Sequence, residues 1–68
     1  MGKAEKRVLE ILRTQPSKQI GLTELSKQVA RDGLLGFGVE TSDLVFALKN
    51  ESKVEYDADR DLVKLTKE

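Results

Sequence analysis

The sequence predicts an α+β domain in which three helices precede a C-terminal β-hairpin, with one short strand after the first helix. Apolar residues recur at helical spacing in three stretches, and two later stretches alternate apolar with polar residues. Glycine, proline or a polar run separates these stretches. A chain of 68 residues has room for one core, so we expect a single domain, 1–68.

The first helix is predicted from Lys3 to Thr14, because apolar residues such as Val8 and Leu12 fall on one side of such a helix. Pro16 ends it, since proline donates no amide hydrogen and disfavours helical geometry in the residue before it. The short apolar segment Ile20 to Leu22 then predicts a small edge strand.

The second helix is predicted from Glu24 to Asp32. Thr23 is expected to cap it, because a threonine hydroxyl accepts a free amide of the first helical turn. Leu25 and Val29 are four residues apart and are expected to face the core. Gly33 supplies the left-handed residue that commonly closes a helix.

Residues 34–39 form an apolar connection interrupted by glycine. One interpretation is that its side chains tuck under the third helix and complete a small core. The alternative is that Leu35 and Phe37 stay exposed and contribute to a surface that binds a protein partner.

The third helix is predicted from Thr41 to Asn50, with Thr41 or Ser42 as its cap. Its inner side is expected to carry Leu44, Val45 and Leu48. Phe46 lies on the opposite side of the helical wheel, where an aromatic ring packs on the hairpin or binds a partner. We expect a buried Phe46 to favour DNA binding, and a Phe46 exposed beside Phe37 to favour a protein partner.

The hairpin is predicted from strands Lys53 to Asp57 and Asp61 to Thr66, joined by a polar turn at 58–60. The carboxylates of Asp57, Asp59, Asp61 and Glu68 have the spacing of a calcium loop. Leu62, however, occupies the position where that loop needs glycine, so a solvated hairpin turn is the preferred interpretation.

Composition excludes several kinds of site. The chain has no cysteine and no histidine, so it offers neither the usual zinc ligands nor a Ser-His-Asp or Cys-His nucleophile. We expect no enzyme activity, metal site, cofactor or small-molecule substrate. No apolar run reaches the roughly 18 residues of a membrane span, and no targeting segment is evident, so we expect an intracellular protein without membrane contact.

Four segments carry a family resemblance: Val8 to Leu12, Gly21 to Leu25, Asp43 to Leu48, and the hairpin from Lys53 to Leu65. In this order they resemble the winged helix-turn-helix superfamily, with the hairpin as the wing. The chain is most similar to the small winged-helix modules of larger assemblies. Examples are the C-terminal domain of minichromosome-maintenance replicative helicases and the modules of general transcription factors and of the endosomal sorting complex.

The resemblance implies a non-catalytic module that binds double-stranded DNA, rather than RNA, in replication or transcription. The third helix would enter the major groove, with Lys49 and Asn50 suited to base edges and Ser42 to a phosphate. The implied nucleic-acid-binding residues are Lys27, Arg31, Ser42, Lys49, Asn50 and Lys53.

Charge favours a different interpretation. Twelve basic residues balance twelve acidic ones, and the hairpin turn is acidic where a wing that enters the minor groove needs Arg or Lys. The alternative is therefore a protein-interaction or regulatory module that uses Leu35, Phe37 and Phe46 together with the acidic turn.

Overall fold

The computed structural model describes residues 2–35 and 40–66. They form a small α+β domain with three helices and a three-stranded antiparallel sheet. The elements are, in chain order, α1 (Lys3–Thr14), β1 (Gln19–Gly21), α2 (Leu22–Arg31), α3 (Thr41–Asn50), β2 (Val54–Asp57) and β3 (Leu62–Leu65). Their number and order confirm the predicted three helices, short strand and hairpin.

The sheet has the order β1-β3-β2, so β3 lies in the middle. Ile20 pairs with Val63 on one side of β3, and Val63 pairs with Tyr56 on the other. Successive residues of a strand point to opposite faces. Lys64 and its neighbour Glu55 therefore lie on the face opposite Val63, and both are exposed. The helices cover the face that carries Val63.

One core joins the helices to this face of the sheet. Leu12, Leu25 and Leu48 come from α1, α2 and α3 and have no exposed surface. Among the described residues, the buried apolar ones are Val8, Leu9, Ile11, Leu12, Ile20, Leu25, Val29, Val45, Leu48, Val54 and Val63. In the described residues, no helix is long and apolar enough to cross a membrane.

The prediction that Thr23 caps α2 is wrong. The helix begins two residues earlier than predicted, at Leu22, and Gly21 is the N-cap residue in extended conformation. Pairing of β1 with β3 continues to Gly21, and the Leu22 amide then donates to the Asp61 carbonyl at 2.9 Å. Strand pairing therefore sets the start of the helix. The Thr23 hydroxyl lies 3.4 Å from Asp61 Oδ2 instead.

The predicted cap of α3 is also wrong, because Glu40 rather than Thr41 or Ser42 is the N-cap residue. The Glu40 amide donates to Asp43 Oδ2 at 3.0 Å. The Thr41 side chain is buried instead of turning to the helix end. Gly33, in contrast, has the predicted left-handed conformation, with φ of 70°.

The connection between α2 and α3 is described only in part. Leu34 and Leu35 are half-buried and pack against the core, as the first interpretation of this segment predicted. Phe37 lies outside the described residues, so its predicted exposure is not addressed. The strands are shorter than predicted, since Lys53, Asp61 and Thr66 lie just beyond their ends.

Candidate nucleic-acid interface

The outward face of α3 carries the residues that the sequence placed at a partner surface. Asp43, Phe46, Lys49 and Asn50 are exposed, and Ser42 is half-buried. Because a helix rises about 1.5 Å per residue, Ser42 and Lys49 lie about 10 Å apart along the axis. The two ends of this face have different neighbours: α2 at the N-terminal end and β2 at the C-terminal end.

At the N-terminal end, an open cleft of about 380 Å³ lies between α2 and α3. We call it the α2–α3 cleft. Its lining combines apolar side chains, three hydroxyl groups and one carboxylate, and consists of Leu22, Ser26, Ala30, Leu35, Glu40, Thr41 and Ser42.

α2 also carries two cations that lie outside the lining of this cleft. Lys27 and Arg31 directly follow Ser26 and Ala30, so they lie about 100° further round the helix, and both are exposed. Within the described residues, neither forms a salt bridge. Their charges are therefore available to an anionic partner. Of the predicted nucleic-acid-binding residues, Ser42 lines the cleft, and Lys27 and Arg31 lie on α2 outside its lining.

At the C-terminal end of α3, a groove of about 410 Å³ lies beside the hairpin. It is lined by Lys49, Ser52, Val54, Glu55, Tyr56 and Thr66. Lys49 is therefore separated from the α2–α3 cleft and lies next to β2. The structure thus divides the predicted set between two depressions at the ends of one helix face.

Phe46 lies between them and is 50% exposed. Its ring packs edge-to-face on Tyr56, with 6.5 Å between the ring centroids. The expected packing on the hairpin is therefore found, but Phe46 is not buried, so the condition that was expected to favour DNA binding is not met. Whether the ring lies beside Phe37 falls outside the described residues. Leu35, in contrast, lines the α2–α3 cleft, so these two members of the predicted protein-binding set occupy different places.

The remaining predicted residues lie at the end of α3. Asn50 is exposed at the last helical position. The Lys53 ammonium lies 3.7 Å from a carboxylate oxygen of Glu51. This pair is largely solvent-exposed, so it reduces the field of Lys53 without adding much stability.

The acidic hairpin turn is organised by its own carboxylates. Asp57 Oδ1 accepts the amides of Asp59 and Arg60 at 3.1 and 3.3 Å. Asp61 Oδ1 accepts the Tyr56 hydroxyl at 3.0 Å. This hydrogen bond is the main reason that the pKa of Tyr56 lies above its ordinary value, and burial of the ring adds to it. Asp57 and Asp61 therefore have structural contacts that the sequence analysis missed.

A salt bridge joins α1 to the end of α2. Arg7 Nε donates to Asp32 Oδ2 at 2.7 Å, and this hydrogen bond raises the pKa of the Arg7 guanidinium. The charge of Arg7 is therefore already partnered inside the fold. Among the predicted nucleic-acid-binding cations, Lys27, Arg31 and Lys49 form no salt bridge within the described residues.

No protein-family model matches the chain, and no curated protein or solved structure matches it.

Proposed function

We propose that this domain is a winged-helix module that binds double-stranded DNA along α3, without catalysis, as part of a larger protein or complex. The observation that supports it best is the α2–α3 cleft. There the half-buried Ser42 lies opposite the helix that carries the unpaired cations Lys27 and Arg31. Cations and hydroxyl groups at a helix–helix cleft are the side chains that commonly contact DNA phosphates.

The architecture supports the same proposal. A hairpin follows α3 and packs beside it through Phe46 and Tyr56. A partner on the exposed side of α3 would therefore also meet β2. In a winged-helix module these two elements are the recognition helix and the first strand of the wing.

Ion pairs account for part of the charge near α3. Glu51 is paired with Lys53, and Asp57 with turn amides and Arg60. Lys49 forms no salt bridge within the described residues, and neither do Glu40 in the α2–α3 cleft and Glu55 beside Lys49. This face therefore offers unpaired cations to phosphates together with unpaired carboxylates that oppose them.

Fluorescence anisotropy with a labelled DNA duplex tests the proposal. Neutralising roughly three phosphates lowers affinity about 40-fold between about 50 and 200 mM salt. The charge reversal Lys27→Glu is expected to weaken binding at low salt and to reduce the slope of log affinity against log salt by at least about 1.

Lys64→Glu is the matched control, because it makes the same charge change on the outer face of the sheet. It should leave affinity close to that of the parent protein. Equal losses in the two variants would indicate a non-specific charge effect and not an interface on α2 and α3. Absence of duplex binding at low salt would rule out the proposal.

A second candidate, a protein-interaction module, is favoured by the 50% exposure of Phe46. An exposed aromatic ring that is held in place by a neighbouring ring loses little conformational freedom on binding. If the chain itself is the partner, dilution should shift the NMR signals of Phe46 and Tyr56. If these signals do not change on dilution and the protein binds DNA in a salt-dependent way, the results would support the nucleic-acid-binding module over self-association.

A further inference from the structure

We infer that the α2–α3 cleft is a phosphate site in which the Thr41 hydroxyl and the first turn of α3 hold a phosphodiester group. The inference rests on the proposed function for the source of that group, the DNA backbone. Beyond the proposed function, it assigns a binding role to Thr41 and a mode of binding by neutral hydrogen-bond donors.

Thr41 carries the inference because it is a buried polar residue without a partner. It is 3% exposed, and its Oγ1 makes no hydrogen bond within the described part of the chain. Buried hydroxyls are nearly always hydrogen-bonded, so such an atom calls for an explanation. Thr41 lines the cleft, and rotation of its side chain would present the hydroxyl, which is inaccessible in the free protein, to a ligand oxygen there.

The helix end supplies a second, independent contribution. α3 has ten residues, and the amides of Asp43 and Leu44 in its first turn already donate to the Glu40 carbonyl. The amides of Thr41 and Ser42 have no acceptor inside the helix. Asp43 does not serve them, because its carboxylate accepts the Glu40 amide at 3.0 Å. Such amides, with the positive end of the helix dipole, favour an anion, whereas the Asp43 carboxylate in the same turn opposes one.

The walls of the cleft fit a phosphate held mainly by hydrogen bonds. Ser26 and Ser42 add two hydroxyl groups to that of Thr41. Lys27 follows Ser26 on α2 but lies outside the lining, whereas Glu40 is a carboxylate in the lining and opposes an anion. We therefore expect Glu40→Gln to increase affinity for duplex DNA.

The test is Thr41→Val, which removes the hydroxyl and keeps the shape. Because the hydroxyl is unpaired in the free protein, the variant should melt at the same or a higher temperature. Its affinity for a labelled duplex should fall about tenfold, the effect of losing a hydrogen bond to a charged group. The salt slope should not change, since a neutral donor releases no counterions.

Thr14→Val is the matched control, because Thr14 lies at the far end of α1 and its hydroxyl bonds Ile11 instead. It should leave DNA affinity unchanged. If the parent protein binds DNA and Thr41→Val binds equally well, the phosphate site is overturned while the proposed function stands.

Titration with inorganic phosphate separates the site from its source. Shifts of the Thr41 and Ser42 amides that disappear in Thr41→Val would support the cleft as a phosphate site, even if the duplex does not bind. In that case the proposed function fails and free phosphate is the ligand. If the protein neither binds the duplex nor shows phosphate-induced shifts, both the proposed function and the phosphate site are overturned.

Discussion

Asp61 is expected to hold the hairpin to the helical layer, and Asp61→Ala should destabilise the fold by about 2 kcal/mol. The Asp61 carboxylate accepts the Tyr56 hydroxyl at 3.0 Å, and the Thr23 hydroxyl lies 3.4 Å from it. The Asp61 main chain is left-handed, with φ of 55°, and its carbonyl accepts the Leu22 amide. One residue thus connects β2, β3 and the start of α2.

The magnitude follows from two terms. The hydrogen bond from Tyr56 to a charged acceptor contributes about 1.5 kcal/mol, the low end of its range, because Tyr56 and Asp61 are only half-buried. Alanine tolerates the left-handed conformation less well than aspartate, which adds about 0.5 kcal/mol. The contact with Thr23 is long and adds little. The main-chain bond from Leu22 remains in every variant.

Urea unfolding followed by circular dichroism measures this loss of free energy. In a separate thermal scan, the melting temperature should fall by about 8–16 °C. Two further variants separate the terms. Asp61→Asn keeps an acceptor and tolerates the left-handed conformation, so it should remain closest to the parent protein. Asp61→Gly removes the acceptor and relieves the backbone, so it should lie between Asn and Ala.

Two results would refute this reasoning. A loss below about 0.5 kcal/mol in Asp61→Ala, the size of an ordinary surface substitution, would show that the carboxylate does not hold the hairpin. Equal stability of the Gly and Ala variants would show that the backbone conformation contributes nothing.

Two other predictions concern titration and backbone geometry. Tyr56 is the single tyrosine, so absorbance at high pH follows its ionisation directly. The hydrogen bond to Asp61 raises the pKa of Tyr56, so the stability it contributes is fully present below the unfolded-state pKa near 10 and is lost as pH rises through the higher folded-state pKa. Asp61→Asn should lower the pKa of Tyr56, and an ordinary pKa in the parent protein would contradict the contact. Gly33→Ala should cost about 1 kcal/mol in urea unfolding, because φ is 70° while an added Cβ meets nothing within 4 Å. If Gly33→Ala were more stable than the parent protein, the left-handed conformation would be contradicted. Gly33→Asn should lose less stability than Gly33→Ala.

The helices and strands were predictable because local patterns encode them. α1 has the predicted bounds, since its apolar spacing is regular and Pro16 follows it closely. The caps were not predictable from the same kind of pattern. Thr23 has a suitable side chain, but α2 starts where pairing between β1 and β3 ends. That limit depends on residues about forty positions away, such as Asp61.

The candidate interface was predictable only as a set of residue types. The sequence indicated Ser42 and Lys49 on one helix, but not that they lie in separate depressions. It gave no sign that Thr41 is buried, because a threonine at a helix start ordinarily caps the helix. Packing of α2 on α3 decides that burial. The contact between Tyr56 and Asp61 likewise depends on the turn geometry.

The most direct test of the central claim is an NMR titration of the labelled protein with duplex DNA at about 50 and 200 mM salt. The account predicts shifts of Lys27, Arg31, Ser42 and Lys49 at low salt that largely vanish at high salt, with Lys64 unchanged. No shifts at low salt, or shifts confined to the outer face of the sheet around Lys64, would contradict it.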